Sequence, residues 1–85
     1  MQLFHERDHD RPGPLNAADE EECYSALGRR TGVFLSTESA SGACALTANV
    51  DPVLIEEFEV TEQGAEHRTF VVPHAVAATL PFAPC

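Results

Sequence analysis

Residues 53–72 read VLIEEFEVTEQGAEHRTFVV and carry the strongest strand signal in the chain. Residues 53–61 are rich in apolar and β-branched side chains, and residues 67–72 repeat that character after a turn. A three-residue loop sets Phe58 opposite Phe70, and this register is favoured because aromatic pairs stabilise neighbouring strands. The stretch therefore predicts an antiparallel hairpin.

One carboxylate conflicts with a regular strand here. Strict alternation places Glu56 on the same face as Leu54 and Phe58, and burial of a charge is costly unless it is paired. A bulge at Glu56 and Glu57 would relieve this conflict. The hairpin is therefore predicted to be bulged, with Gly64 or Ala65 in the left-handed conformation at its turn.

Upstream of the hairpin, residues 15–28 (LNAADEEECYSALG) predict one helix. Asn16 is a good N-cap, the acids at 19–22 favour the positive end of the helix dipole, and Gly28 is suited to end the helix. Short apolar runs at 33–35 and 43–48 predict two further strands.

The remaining segments complete the predicted fold, which is α+β. One N-terminal helix packs on a small antiparallel sheet of three to four strands, with an apolar C-terminal segment. Residues 1–14 alternate charge, His, Pro and Gly and are predicted to form a polar N-terminal arm. Residues 15–85 form a single small domain, in which 72–85 are the apolar tail. In that tail Pro73 opens a short helix that Pro81 ends.

The charge balance limits the partners. The chain has 14 acidic residues against 5 basic ones and a net charge of -9, and every basic residue is Arg. Such a chain repels phosphate backbones, which argues against direct nucleic-acid binding and favours a protein partner with a basic surface. No apolar stretch approaches the roughly 20 residues of a membrane-spanning helix.

Three cysteines, Cys23, Cys44 and Cys85, show no metal-binding spacing. One disulfide can form, with one thiol left over, but an inert core thiol is the expected role of Cys44. Acidic neighbours should raise the pKa of the Cys23 thiol. No secretory signal is visible, so the expected compartment is the cytoplasm, or a larger particle assembled there.

Residues 5–9 read HERDH and match the H-E-x-x-H pattern of zinc metalloproteases. In that pattern a helix aligns His5 and His9 on a metal, and Glu6 acts as general base. Here the motif lies on a segment that Pro12 limits to under three turns, and no third ligand is evident. His5 and His9 are therefore only weak metal candidates; no metal site, no cofactor and no catalytic residue is expected.

The tail offers a second alternative. Residues 73–85 carry no charged side chain and end in Cys85. This composition resembles ribosomal peptide precursors with an acidic leader and an uncharged core. The resemblance implies that Cys85 would be coupled to a dehydrated upstream residue, here Thr79.

The function predicted from the sequence is a non-enzymatic, acidic protein-binding module. It would serve as an accessory or structural subunit of a larger assembly, or as a small protein inhibitor, and self-association as a homo-oligomer is a further option. The basis is a core that is marginal at 85 residues and an acidic surface. The expected contact residues are Glu57, Glu59, Asp19, Glu20, Glu21, Glu22, Val76, Leu80 and Phe82.

Overall fold

The computed structural model describes residues 1–7, 13–25, 28–39 and 43–85. Within these ranges the chain forms mostly β-structure, with one α-helix, α1 (His74–Ala77). The strands are β1 (Gln2–Glu6), β2 (Glu20–Ser25), β3 (Gly28–Ser36), β4 (Cys44–Asn49), β5 (Thr69–Val72) and β6 (Ala83–Pro84). Single 3-10 turns span Ala17–Asp19, Pro52–Leu54 and Glu56–Phe58.

All six described strands belong to one antiparallel sheet, in the order β2-β3-β1-β4-β6, with β5 on the other edge of β3. Val33 shows this arrangement, because it pairs with Glu20 of β2 on one side and Val72 of β5 on the other. β1 lies beside the same edge of β3 as β2 but further along it, where Phe4 pairs with Ser36. β1 is therefore a central strand, between β3 and β4.

The core lies against one face of this sheet. Side chains alternate along a strand, so that Val33 and Leu35 point inward while Phe34 points outward. The same alternation buries Leu3 and His5 of β1. The fully or nearly fully buried cluster is Leu3, Val33, Leu35, Ala48, Val50, Ile55, Phe70, Val72 and Ala77.

Gly32 of β3 lies in tight contact with β5. A Cβ at this position would lie 2.8 Å from the carbonyl oxygen of Val72 and 2.9 Å from Cγ1 of Val71. We expect Gly32→Ala to lower the free energy of unfolding by about 1–3 kcal/mol, because β5 must shift to admit the methyl group. Urea denaturation measures this. Thr31→Ala, at an exposed neighbouring position, is the matched control, and an equal loss in both variants would contradict the contact.

The predicted α+β fold is wrong, because the described part of residues 15–28 forms no helix beyond a single 3-10 turn. Asn16 does act as an N-cap, since its side chain accepts a hydrogen bond from the Ala18 N–H at 2.8 Å. The helical segment that it begins is a single 3-10 turn. Residues 20–25 then pair with β3 over the whole of β2. Pairing with β3, the next strand along the chain, outweighs local helix propensity here. Gly28 has the expected positive φ of 103°, but it begins β3.

The predicted strand at 53–61 is also wrong. Pro52 starts a 3-10 turn, capped by the Asp51 side chain, and a second turn follows at Glu56–Phe58. These turns bury Ile55 and leave Glu56 exposed, so the carboxylate conflict is resolved without a bulge. The hairpin is reduced to one bridge, in which Glu59 and not Phe58 faces Phe70. Gly64 has the predicted positive φ, at 85°.

Residues 1–7 are not a polar arm, since β1 lies in the middle of the sheet with Leu3 and His5 buried. Residues 8–12 of the predicted arm lie outside the described residues. The sequence did not predict this strand, because one of its two inward positions is a histidine and the segment therefore looks polar. Burial of His5 is stabilised by partners distant in sequence, described below.

Other local predictions are confirmed. Strands form at 33–35 and 43–48 as parts of β3 and β4, and the short helix after Pro73 is α1. Val76, Leu80 and Phe82 fold back onto the core, each half-buried.

The prediction for Cys44 is wrong, because it is joined to Cys85 in a disulfide with a Cα–Cα distance of 6.0 Å. In the described part of the chain, no helix has the length and apolar character needed to cross a membrane.

Candidate functional site

An open groove crosses the face of the sheet that points away from the core. Its volume is about 400 Å³, within the range typical of ligand sites. β1, β3 and β5 contribute to it. Among the described residues, its lining consists of Phe4, Glu6, Phe34, Ser36, Glu38, His67 and Thr69.

Two aromatic rings form the apolar part of the groove. Phe4 follows buried Leu3, and Phe34 lies between buried Val33 and Leu35, so alternation turns both rings outward. The pairing of Phe4 with Ser36 brings β1 and β3 together at this point. Phe34 remains 38% exposed, which leaves its ring face accessible to a ligand.

Carboxylates form the polar rim. Glu38 Oε2 lies 2.5 Å from Nδ1 of His67, and both side chains are well exposed. Glu6 accepts a hydrogen bond of 2.9 Å from the Ser39 hydroxyl. Aromatic ring faces and carboxylates both attract cations, so this combination suits a guanidinium or ammonium group.

Beneath the groove a buried polar network supports β1. His5 Nδ1 lies 2.9 Å from the carbonyl oxygen of Phe34, and His5 Nε2 lies 3.1 Å from Asp19 Oδ1. Both ring nitrogens of His5 are therefore engaged within the network. The network therefore fixes the backbone of Phe34 directly behind its outward ring.

Asp19 is the centre of that network. Its carboxylate also accepts from Arg7 Nε at 2.8 Å, from Arg7 Nη2 at 3.0 Å and from the Asn16 backbone N–H at 2.9 Å. Burial acts to raise the pKa of Asp19, but the hydrogen bonds from Arg7, Asn16 and His5 outweigh it, and the pKa lies well below its ordinary value. Asp19 is thus a buried structural anion.

The predicted acidic contact residues have diverse roles. Asp19 is buried, and Glu20 accepts a hydrogen bond of 2.9 Å from the backbone N–H of His74. Glu59 makes two bonds to Arg68, at 2.8 and 2.9 Å, and these lower its pKa to about 2. Glu21, Glu22 and Glu57 are exposed, and Glu22 is paired with Arg29. Asp19, Glu20, Glu22 and Glu59 therefore have partners within the chain.

The apolar members of the predicted set, Val76, Leu80 and Phe82, are occupied by packing against the core. None of the described lining residues of the groove belongs to that set, Phe4, Phe34, Glu38 and His67 included. The outward position of Phe34 follows from alternation in the β3 sequence, which is the one signal that could have revealed it. The remaining three depend on which strands become neighbours.

The weak metal candidates are not supported as a metal centre. His5 lies in a strand and is bonded within the network, and His9 lies outside the described residues. Among the described side chains, no three of His, Cys, Asp or Glu are grouped so as to hold a metal ion.

The remaining thiol, Cys23, is in no disulfide; burial and the nearby Glu21 carboxylate raise its pKa, as expected.

Comparisons with protein-family models, with curated protein sequences and with solved structures give no match. The geometry and charge of the groove are therefore the basis for assigning a function.

Proposed function

We propose that this chain is a non-enzymatic binding module whose groove receives a basic side chain of a protein partner. It would act as an accessory or structural subunit of a larger assembly, or as a small inhibitor. The observation that carries the proposal is an open groove with an aromatic floor, Phe4 and Phe34, and a carboxylate rim, in a chain of net charge -9.

The negative charge of the chain favours a cation over other ligands. The rim carboxylates Glu6 and Glu38 belong to a strongly acidic chain, so the long-range field also attracts a basic surface and speeds its association. The chain contains an example of the same recognition, because the Arg68 guanidinium lies 5.2 Å from the Phe70 ring centroid while bonded to Glu59. A partner arginine could make an equivalent contact in the groove.

A peptide titration tests this proposal. The probe is a capped peptide with one central arginine, compared with its glutamine counterpart, and binding is followed through backbone amide chemical shifts. We expect shifts at groove positions such as Phe34 and Thr69. The arginine peptide should bind about 2- to 10-fold more tightly, because exposed cation contacts contribute about 0.5–1 kcal/mol each.

Matched variants locate the site. Glu38→Gln should weaken binding of the arginine peptide, and so should Phe34→Ala. Glu57→Gln removes the same charge from an exposed position outside the groove lining and should have a much smaller effect. Equal weakening by Glu38→Gln and Glu57→Gln would show general charge attraction and would refute a specific groove.

Neither alternative function gains an observation in its favour. The HERDH match does not form a helix at His5 and Glu6, which lie in β1. Cys85 is bonded to Cys44, and the Thr79 hydroxyl donates to the Val76 carbonyl oxygen at 2.7 Å.

The proposed compartment is the cytoplasm, or a particle assembled there. Thiols are kept reduced in that compartment, and disulfides that do form there are mostly transient. The Cys44–Cys85 bond would then open and close with redox conditions.

A further inference from the structure

The outer edge of β4 is covered by a very short segment. β6 has two residues, and it pairs Ala83 with Thr47 and Pro84 with Leu46. One more backbone bond, of 3.3 Å, runs from the Cys85 N–H to the Ala45 carbonyl oxygen. Pro84 has no N–H to donate, so hydrogen bonding along this edge is sparse. The Cys44–Cys85 disulfide adds a covalent attachment at this edge.

Residues 83–85 are also exposed, in contrast to the half-buried Cys44. An exposed sulfur of a disulfide is the one that a reductant reaches. A thiolate of a dithiol reductant attacks Cys85 Sγ, and Cys44 leaves as a thiolate and takes up a proton. The second thiol of the reductant then displaces Cys85. Two electrons pass to the cysteine pair, and the reductant becomes a disulfide.

We propose that reduction of the Cys44–Cys85 disulfide uncovers the outer edge of β4, and that two copies of this chain then pair through that edge. An uncovered strand edge presents unpaired N–H and C=O groups and is a template for another strand. The intact chain already demonstrates that this edge accepts an antiparallel strand, since β6 occupies it.

The charges along the edge of β4 favour a second copy of this chain as the strand that pairs there. β4 has the sequence CALTAN and contains no charged residue. A two-fold axis at Thr47 would place Ala45 of one copy opposite Asn49 of the other, so no like charges meet. β2 shows the opposite case, because its run Glu20, Glu21 and Glu22 would repel an identical strand. Self-pairing is therefore favoured at β4 and disfavoured at β2.

The edge geometry identifies a variant that blocks pairing. The Ala45 carbonyl points toward β6, and residues 45, 47 and 49 share that direction because backbone groups alternate along a strand. Thr47 lies at the centre of the proposed contact. Thr47→Lys would oppose two ammonium groups across the two-fold axis, whereas Thr47→Ser keeps both the hydroxyl and the neutral edge.

The test is the mass of the particle in solution, measured by sedimentation against concentration in a Cys23→Ser background, which excludes cross-linking through the remaining thiol. We expect a monomer when oxidised and a doubled mass after treatment with a dithiol. Cys85→Ser should dimerise without reductant. Thr47→Lys should stay monomeric when reduced, and Thr47→Ser should dimerise.

Circular dichroism on the same samples verifies that the reduced protein keeps its sheet. A reduced protein that is monomeric at every concentration overturns the proposal, as does one that loses its sheet. Equal dimerisation of the oxidised protein, or of Thr47→Lys, also overturns it. None of these outcomes bears on the groove, which is tested separately with the arginine peptide.

Discussion

Replacement of Asp19 by Ala should lower the free energy of unfolding by roughly 3–5 kcal/mol at neutral pH, because removal of one partner leaves buried charge uncompensated. The variant leaves His5 Nε2 without its acceptor and removes two bonds from Arg7. Both side chains are almost fully buried, so solvent cannot replace the lost anion. Urea denaturation followed by circular dichroism measures the loss.

Glu21→Ala is the matched control, since it removes an exposed carboxylate two residues away and should change stability by less than about 0.5 kcal/mol. Similar losses in the two variants would show that Asp19 acts only through net charge.

Acid should reduce the difference between the wild type and Asp19→Ala. The folded-state pKa of Asp19 lies below its ordinary value, so the ionised carboxylate stabilises the fold above about pH 4, the ordinary range for Asp. That stabilisation is lost as the pH falls toward the folded-state pKa. Glu59, with a pKa of about 2, contributes with the same sign in both proteins. A pH-independent difference would contradict the assignment.

Phe70→Ala should cost about 3–5 kcal/mol of unfolding free energy, the usual range for a buried phenylalanine. Phe70 is completely buried and is the largest fully buried side chain among the described residues. It faces Leu35 across β5 and β3, so its removal leaves a cavity between the sheet and the segments that cover it. The midpoint of thermal unfolding should fall in parallel.

The comparison with Phe34→Ala tests which face of the sheet is the core. Phe34 lies next to Leu35 in sequence but points outward and is 38% exposed. We expect a loss well below that of Phe70→Ala, together with the loss of peptide binding described above. A larger destabilisation from Phe34→Ala than from Phe70→Ala would reverse the assignment of the two faces.

Local patterns predicted those elements that depend on neighbouring residues. The apolar run around Val33 gave β3, Pro73 gave the start of α1, and Gly64 gave a turn with positive φ. At each of these positions the side chain or backbone restriction is strong and does not depend on distant partners.

Several of the failures arise from contacts with other segments of the chain, some near in sequence and some distant. His5 looks polar in sequence, and its burial is stabilised by Asp19, 14 residues further along the chain. Residues 20–25 contain helix-favouring glutamates, but they meet an available edge of β3. The groove is a similar case, since Phe4 and His67 are 63 positions apart in the numbering and meet only after the sheet has formed.

The central position of β1 also determines the order in which the fold can be completed. Among the described strands, β1 pairs with β3 and β4, and Gln2 is paired with Asn49. Bringing Gln2 and Asn49 together closes a long loop, which costs conformational entropy before the strand contacts form. Folding slows as the sequence separation of contacts increases. Until residues up to 49 are available, β1 lacks its long ladder with β4 and has only the Phe4–Ser36 pair with β3 to join. Newly made chains therefore pass through a period in which the centre of the sheet is open.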